Sequence, residues 1–96
     1  MSITNFSTLS PEEQLEQARK SGKWFACSLF ITYYRGFGYK FEADPVRYLS
    51  DGSIQTDGLN IDGSTYQDTK KRFWAEWNRR HPSQHLTILK SMSSSG

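Results

Sequence analysis

Residues 23–34 read Lys-Trp-Phe-Ala-Cys-Ser-Leu-Phe-Ile-Thr-Tyr-Tyr, and large apolar groups occupy both alternating sets. Phe25, Cys27, Leu29, Ile31 and Tyr33 take the odd positions, while Trp24, Ala26, Phe30 and Tyr34 share the even ones with Ser28 and Thr32. Apolar groups on both faces predict a central strand covered from two sides. This places Cys27 inside, as a chemically quiet thiol. Arg35-Gly36-Phe37-Gly38 then forms a turn. Beyond it Tyr39, Phe41 and Ala43 alternate with Lys40 and Glu42, which predicts a second strand that Pro45 ends or bends.

Two segments carry the helical period instead. Around residues 10–22, Ser10 can cap, Pro11 suits the first helical position and Glu13 completes a capping box. Arg19 and Lys20 sit at the negative end of the dipole, and Gly22 stops the helix. Its apolar face is thin, only Leu15 and Ala18, so it belongs at the edge of the domain. The stronger helix spans about 64–81. Ser64 is the expected cap with Gln67 as its box partner, and Pro82 is the stop. Tyr66, Phe73, Trp74 and Trp77 make one stripe at 100° per residue, which marks the main core helix.

Asp51-Gly52, Asp57-Gly58 and Asp62-Gly63 punctuate the stretch between strands and helix. Asp-Gly tolerates positive φ at both positions and is a strong hairpin signal. Short strands are expected at 46–50, 53–56 and 59–61, with Leu49 facing Ile54 across the first turn. Gln84 to Lys90 adds a short edge strand through Leu86 and Ile88. The whole predicts a small single α+β domain: an N-terminal helix, an antiparallel meander of three to five short strands, and a long C-terminal amphipathic helix packed on the sheet. Residues 10–90 form the domain, 1–9 a flexible arm and 91–96 a Ser-rich disordered tail.

Composition narrows the classes of function. Three Trp, five Tyr and six Phe among 96 residues make an aromatic core. A single cysteine excludes an internal disulfide. There is no apolar run of membrane-spanning length and no basic, apolar leader at the N-terminus, so the expected location is cytoplasmic with no membrane contact. The formal net charge of +2 is uneven. Residues 1–63 hold six Lys/Arg against eight Asp/Glu, and residues 64–96 hold six against two, so the C-terminal third is basic.

Catalytic and metal signatures are absent. The chain has no Gly-rich phosphate loop, G-x-S-x-G or H-E-x-x-H. His81 and His85 have zinc-pair spacing, but a structural zinc needs four ligands and Cys27 is the only thiol. The expectation is a non-enzyme with no cofactor and no metal.

One local pattern is sharper. Arg35-Gly36-Phe37-Gly38-Tyr39 resembles the RNP1 motif of RNA recognition motifs and cold-shock domains, preceded by a segment, Leu29-Phe30-Ile31-Thr32-Tyr33, that looks like RNP2. The resemblance implies base stacking on Phe30, Phe37 and Tyr39 with Arg35 on phosphate. Lys40 and Glu42 depart from the motif, and one residue separates segments that in an RNA recognition motif lie a helix and a strand apart. The helix residues Lys71, Arg72 and Arg79 fall opposite the aromatic stripe and would extend such a surface. Asp68–Arg72, Arg72–Glu76 and Glu76–Arg80 are also i,i+4 pairs that neutralise much of it.

Residues 33–41 hold more rings than so small a core can cover, and exposed Tyr, Phe and Arg are the usual material of binding patches. The favoured reading is therefore a protein-interaction module, a small inhibitor or adaptor of the phage or mobile-element accessory type. It would mask a partner surface through Tyr34, Arg35, Phe37 and Tyr39. The alternative is a nucleic-acid-binding domain using Phe30, Arg35, Phe37, Tyr39, Lys71, Arg72 and Arg79.

Overall fold

In the computed structural model, which describes residues 10–95, helix α1 (Pro11–Ser21) begins as its sequence predicts. Ser10 Oγ accepts from the Glu13 N–H at 3.2 Å, and Glu13 Oε1 accepts from the Ser10 N–H at 3.0 Å. Gly22 closes the helix at φ +71°. The arm expected at 1–9 lies outside the described residues.

Four bent chain paths build the β structure. They are β1 (Trp24–Ala26) with β2 (Leu29–Tyr34), β3 (Gly38–Ala43) with β4 (Val46–Tyr48), β5 (Ile54–Thr56) with β6 (Leu59–Gly63), and β7 (Leu86–Ile88) with β8 (Ser91–Ser95). Their halves form two four-stranded sheets, ordered β5-β4-β1-β7 and β6-β3-β2-β8. The meander is antiparallel, whereas β7 and β8 run parallel to β1 and β2. The domain is thus α+β, with the expected edge strand at Leu86–Ile88. Residues 91–95, read as disordered from their serines, instead continue that strand along β2. Backbone pairing with an otherwise open edge requires no apolar side chains.

The bends explain where the reading of residues 23–34 as one strand fails. Trp24 and Ala26 pack toward the core with even numbers, and Leu29 and Ile31 do so with odd numbers. The phase slips between them, at Cys27-Ser28. Trp24 pairs with Leu86 and Leu29 with Ser91, so the last path slips at the same level. Backbone bonds from Leu29 N–H to Lys90 O (2.9 Å) and from Leu89 N–H to Ala26 O (3.0 Å) hold both bends. Cys27 sits on the slip and is exposed, contrary to its expected burial. β1 is covered on both faces. Phe25 and Ala18 are buried on the α1 side, where the Phe25 and Tyr48 rings stack at 6.2 Å. On β2, Phe30 faces outward.

Of the three Asp-Gly pairs, only Asp51-Gly52 makes a hairpin. Gly52 N–H donates to Leu49 O at 3.0 Å, Leu49 N–H donates to Ser53 O at 2.9 Å, and Gly52 has φ +89°. The loop therefore has three residues, with a left-handed glycine at its end. That one-residue difference places Tyr48, not Leu49, opposite Ile54. Asp51 Oδ1 accepts from the Ser53 hydroxyl at 2.6 Å and from its N–H at 2.9 Å. These bonds hold the Asp51 carboxyl below its usual range. Asp57-Gly58 lies at the bend between β5 and β6, where Asp57 N–H donates to Pro45 O at 3.0 Å. Asp62-Gly63 ends β6.

Helix α2 (Tyr66–Arg80) starts later than expected. Thr65, not Ser64, is the cap, with its hydroxyl accepting from Asp68 N–H at 3.1 Å, so the box through Gln67 does not form. Thr69, Phe73 and Trp77 are the buried face, while Tyr66 and Trp74 of the expected stripe are only partly covered. The buried Thr69 hydroxyl is satisfied by donating to Thr65 O at 2.6 Å. Phe73 and Trp77 close the core over Trp24, Leu29, Ile31, Phe41 and Leu59. Among the described residues no helix is long and apolar enough to cross a membrane.

Candidate functional site

The hairpin joining β2 and β3 has a backbone-defined tip. Phe37 N–H donates to Tyr34 O at 2.9 Å, and Gly36 has φ +82°. A positive φ at the third residue is what a type II turn requires, so Gly36 makes the turn. Gly38 serves a different purpose. Its φ is +119°, and a Cβ there would overlap the Gly63 carbonyl oxygen. The residue lets β3 lie close against the end of β6. Between the two glycines Phe37 projects with 87% of its surface exposed.

The register divides the expected binding set. Phe30 pairs with Glu42, Thr32 with Lys40, and Tyr34 with Gly38, and these share the sheet face turned away from α2. Phe30 and Tyr34 are 44% and 42% exposed there. The Lys40 ammonium stands 5.6 Å from the Tyr34 ring centroid, within reach of a cation–π contact. Tyr39 lies on the opposite face. It packs on Tyr33 at 5.0 Å and on Tyr66 at 5.8 Å, and Tyr66 in turn meets Phe41 at 5.2 Å. The hairpin thus unites Phe30, Tyr34, Arg35 and Phe37, while Tyr39 anchors it to the core.

The basic helix is more neutral than its composition. Arg72 bonds Asp68 at 2.9 Å, and Glu76 takes both Arg79 at 2.6 Å and Arg80 at 2.7 Å. The Arg79 bond first, and then the Arg80 bond, hold the Glu76 carboxyl down to about 2. Lys71 is exposed and has no such partner among the described residues. Arg79 lies about 20 Å along the helix axis from Tyr66, beyond reach of the hairpin tip at 1.5 Å per residue.

A second constellation escapes sequence reading. The His81 ring lies between Trp24 and Trp77, at centroid distances of 4.8 and 4.2 Å. His81 Nε2 is 2.6 Å from Asp57 Oδ2, and Arg80 donates to Asp57 Oδ1 at 2.8 Å. Trp24 Nε1 donates to Gln84 Oε1 and Trp77 Nε1 to Gln84 O, both at 2.9 Å. The half-buried Arg47 projects beside this cluster. Among the described residues no group of three or more His, Cys, Asp or Glu side chains is placed to hold a metal ion. The one legible cue was the Asp57-Gly58 pair, but its local meaning is a turn, and nothing nearby in sequence points to His81.

Comparison with known proteins returns no matching family model, no matching curated protein and no matching solved structure.

Proposed function

We propose that this chain is a non-enzymatic protein-interaction module that inserts the β2–β3 hairpin into a pocket or groove of a protein partner and masks that surface. The observation that carries the reading is the 87% exposure of Phe37 at a turn closed by its own backbone bond. An exposed ring on a pre-formed turn loses little conformational freedom on binding, which is the property of an interface anchor. Phe30 and Tyr34 supply a flanking apolar face, and Arg35 supplies a fork of donors at the rim. The nucleic-acid reading has less support, because two of its three helix cations, Arg72 and Arg79, are already engaged by carboxylates.

The test is capture from lysate by the immobilised parent and by an Arg35→Ala/Phe37→Ala variant, each with and without nuclease, after circular dichroism shows both folded. A protein retained by the parent through nuclease, and held at least roughly 30-fold more weakly by the variant, is the expected result. Capture that nuclease abolishes would favour nucleic acid. Equal capture by parent and variant would remove the hairpin from the interface.

A further inference from the structure

Arg47 occupies the strand position next to Val46, which pairs with Phe25, so it lies beside Trp24 on the core-facing side of β4. Its Nε is buried and has no hydrogen-bond partner. Among the described residues the Arg47 side chain forms no ion pair or hydrogen bond. Because Nε is closed off from the hollow, an anion would meet this guanidinium through its terminal nitrogens, which keep accessible surface and are likewise unpaired among the described residues.

The surroundings indicate what would pair with these terminal nitrogens. Arg47, Trp24 and Gln84 together line two adjoining open hollows, the larger about 500 Å³. Lys23 and His85 stand at the rim of one. The carboxylate in the other, Asp57, is already held by Arg80 and His81. Gln84 must use its side-chain oxygen to accept from the Trp24 indole, since an indole N–H only donates. Its NH2 group is therefore left as a donor. The cleft thus gathers positive charge and hydrogen-bond donors, with its one carboxylate neutralised.

We propose that this cleft is an oxoanion site in which Arg47 binds a phosphate group. Donors come from the sheet (Arg47), from the loop after α2 (Gln84) and from the rim (Lys23). Three directions of approach suit a tetrahedral anion with several acceptor oxygens better than a planar carboxylate. The phosphate is either the free ion or the monoester group of a small molecule such as a mononucleotide. The site is separate from the hairpin and does not depend on its proposed role.

Thermal melting of the full chain tests this, in chloride and in phosphate at matched ionic strength, and then with AMP in place of phosphate. Phosphate stabilises many proteins by exclusion from their surface, so the readout is the difference between variants. At about five times its dissociation constant the anion should raise the parent midpoint by about 4–8 °C. Lys20→Gln, which removes one positive charge from the exposed face of α1, should respond like the parent. Arg47→Met should lose the response, and Arg47→Lys, with charge but no fork, should show a weaker one. A larger response to AMP than to phosphate assigns the monoester; an equal one assigns the free ion. The proposal fails if the parent responds to neither ligand, or if Arg47→Met responds as the parent does. Should Arg47→Met not fold, a full response from Arg47→Lys overturns it equally.

Discussion

Replacing Trp77 should come close to unfolding the domain, and the structure indicates which part of the loss is volume and which is polar. The side chain is 1% exposed, meets Trp24 edge-on at 5.5 Å, and donates its indole N–H to Gln84 O at 2.9 Å. Trp77→Ala empties the space between α2 and β1, a change that costs about 3–5 kcal/mol in well-packed cores. Trp77→Phe keeps most of the ring and deletes the donor, leaving the Gln84 carbonyl without its partner, at about 1–3 kcal/mol. A domain of this size has about 5–15 kcal/mol in total and loses about 4–8 °C of midpoint per kcal/mol. The Phe variant should therefore melt measurably lower and remain folded at room temperature, and the Ala variant should fall by tens of degrees. Far-UV circular dichroism during heating measures both. An Ala variant melting within a few degrees of the parent would refute the assignment of Trp77 as the contact that joins helix and sheet.

Three further outcomes follow from the same geometry. Gly38→Ala should destabilise by about 1–3 kcal/mol through backbone overlap with Gly63 and its φ of +119°, whereas Gly36→Ala, with open space around its Cβ, bears only the dihedral penalty; urea midpoints of the two variants rank them. Cys27 should react with a thiol reagent about as fast in the native protein as in denaturant, since the strand slip leaves it exposed; strong native protection would contradict that position. The Glu76 carboxyl is held from its ordinary 4.5 down to about 2, chiefly by Arg79, so its contribution to stability is full above about 4.5 and is lost as pH falls toward about 2; melting Glu76→Gln across that window should show a shallower acid slope than the parent.

What was legible in the sequence was what local chemistry decides. The capping box at Ser10 and Glu13, the left-handed stop at Gly22 and the alternation through Tyr39, Phe41 and Ala43 each depend on residues within a few positions of one another. The misreadings share a cause as well. Asp-Gly favours a left-handed turn wherever one is needed. Gly52 takes that conformation and closes a hairpin, whereas Gly58 does not and Asp57-Gly58 only bends one strand path, and only pairing across the sheet separates the two. An unbroken period of two would carry Cys27 into the core. The slip at Cys27-Ser28 becomes visible only beside its counterpart between Ile88 and Ser91, on a strand that joins the sheet after α2.

The same distinction applies to the two surfaces. The hairpin set is local: Phe30, Tyr34, Arg35 and Phe37 lie within eight positions, and two glycines announce the turn. Only the facing of Tyr39 needed the register. The Arg47 cleft is nowhere local, since the Trp24–Gln84 hydrogen bond spans 60 positions and the His81–Asp57 contact spans 24. No short pattern encodes such a site. Arg47 appears in the sequence as an ordinary polar position between Val46 and Tyr48. Its meaning arises when β4 pairs with β1 and the loop after α2 returns over both, removing the guanidinium Nε from water without giving it an acceptor.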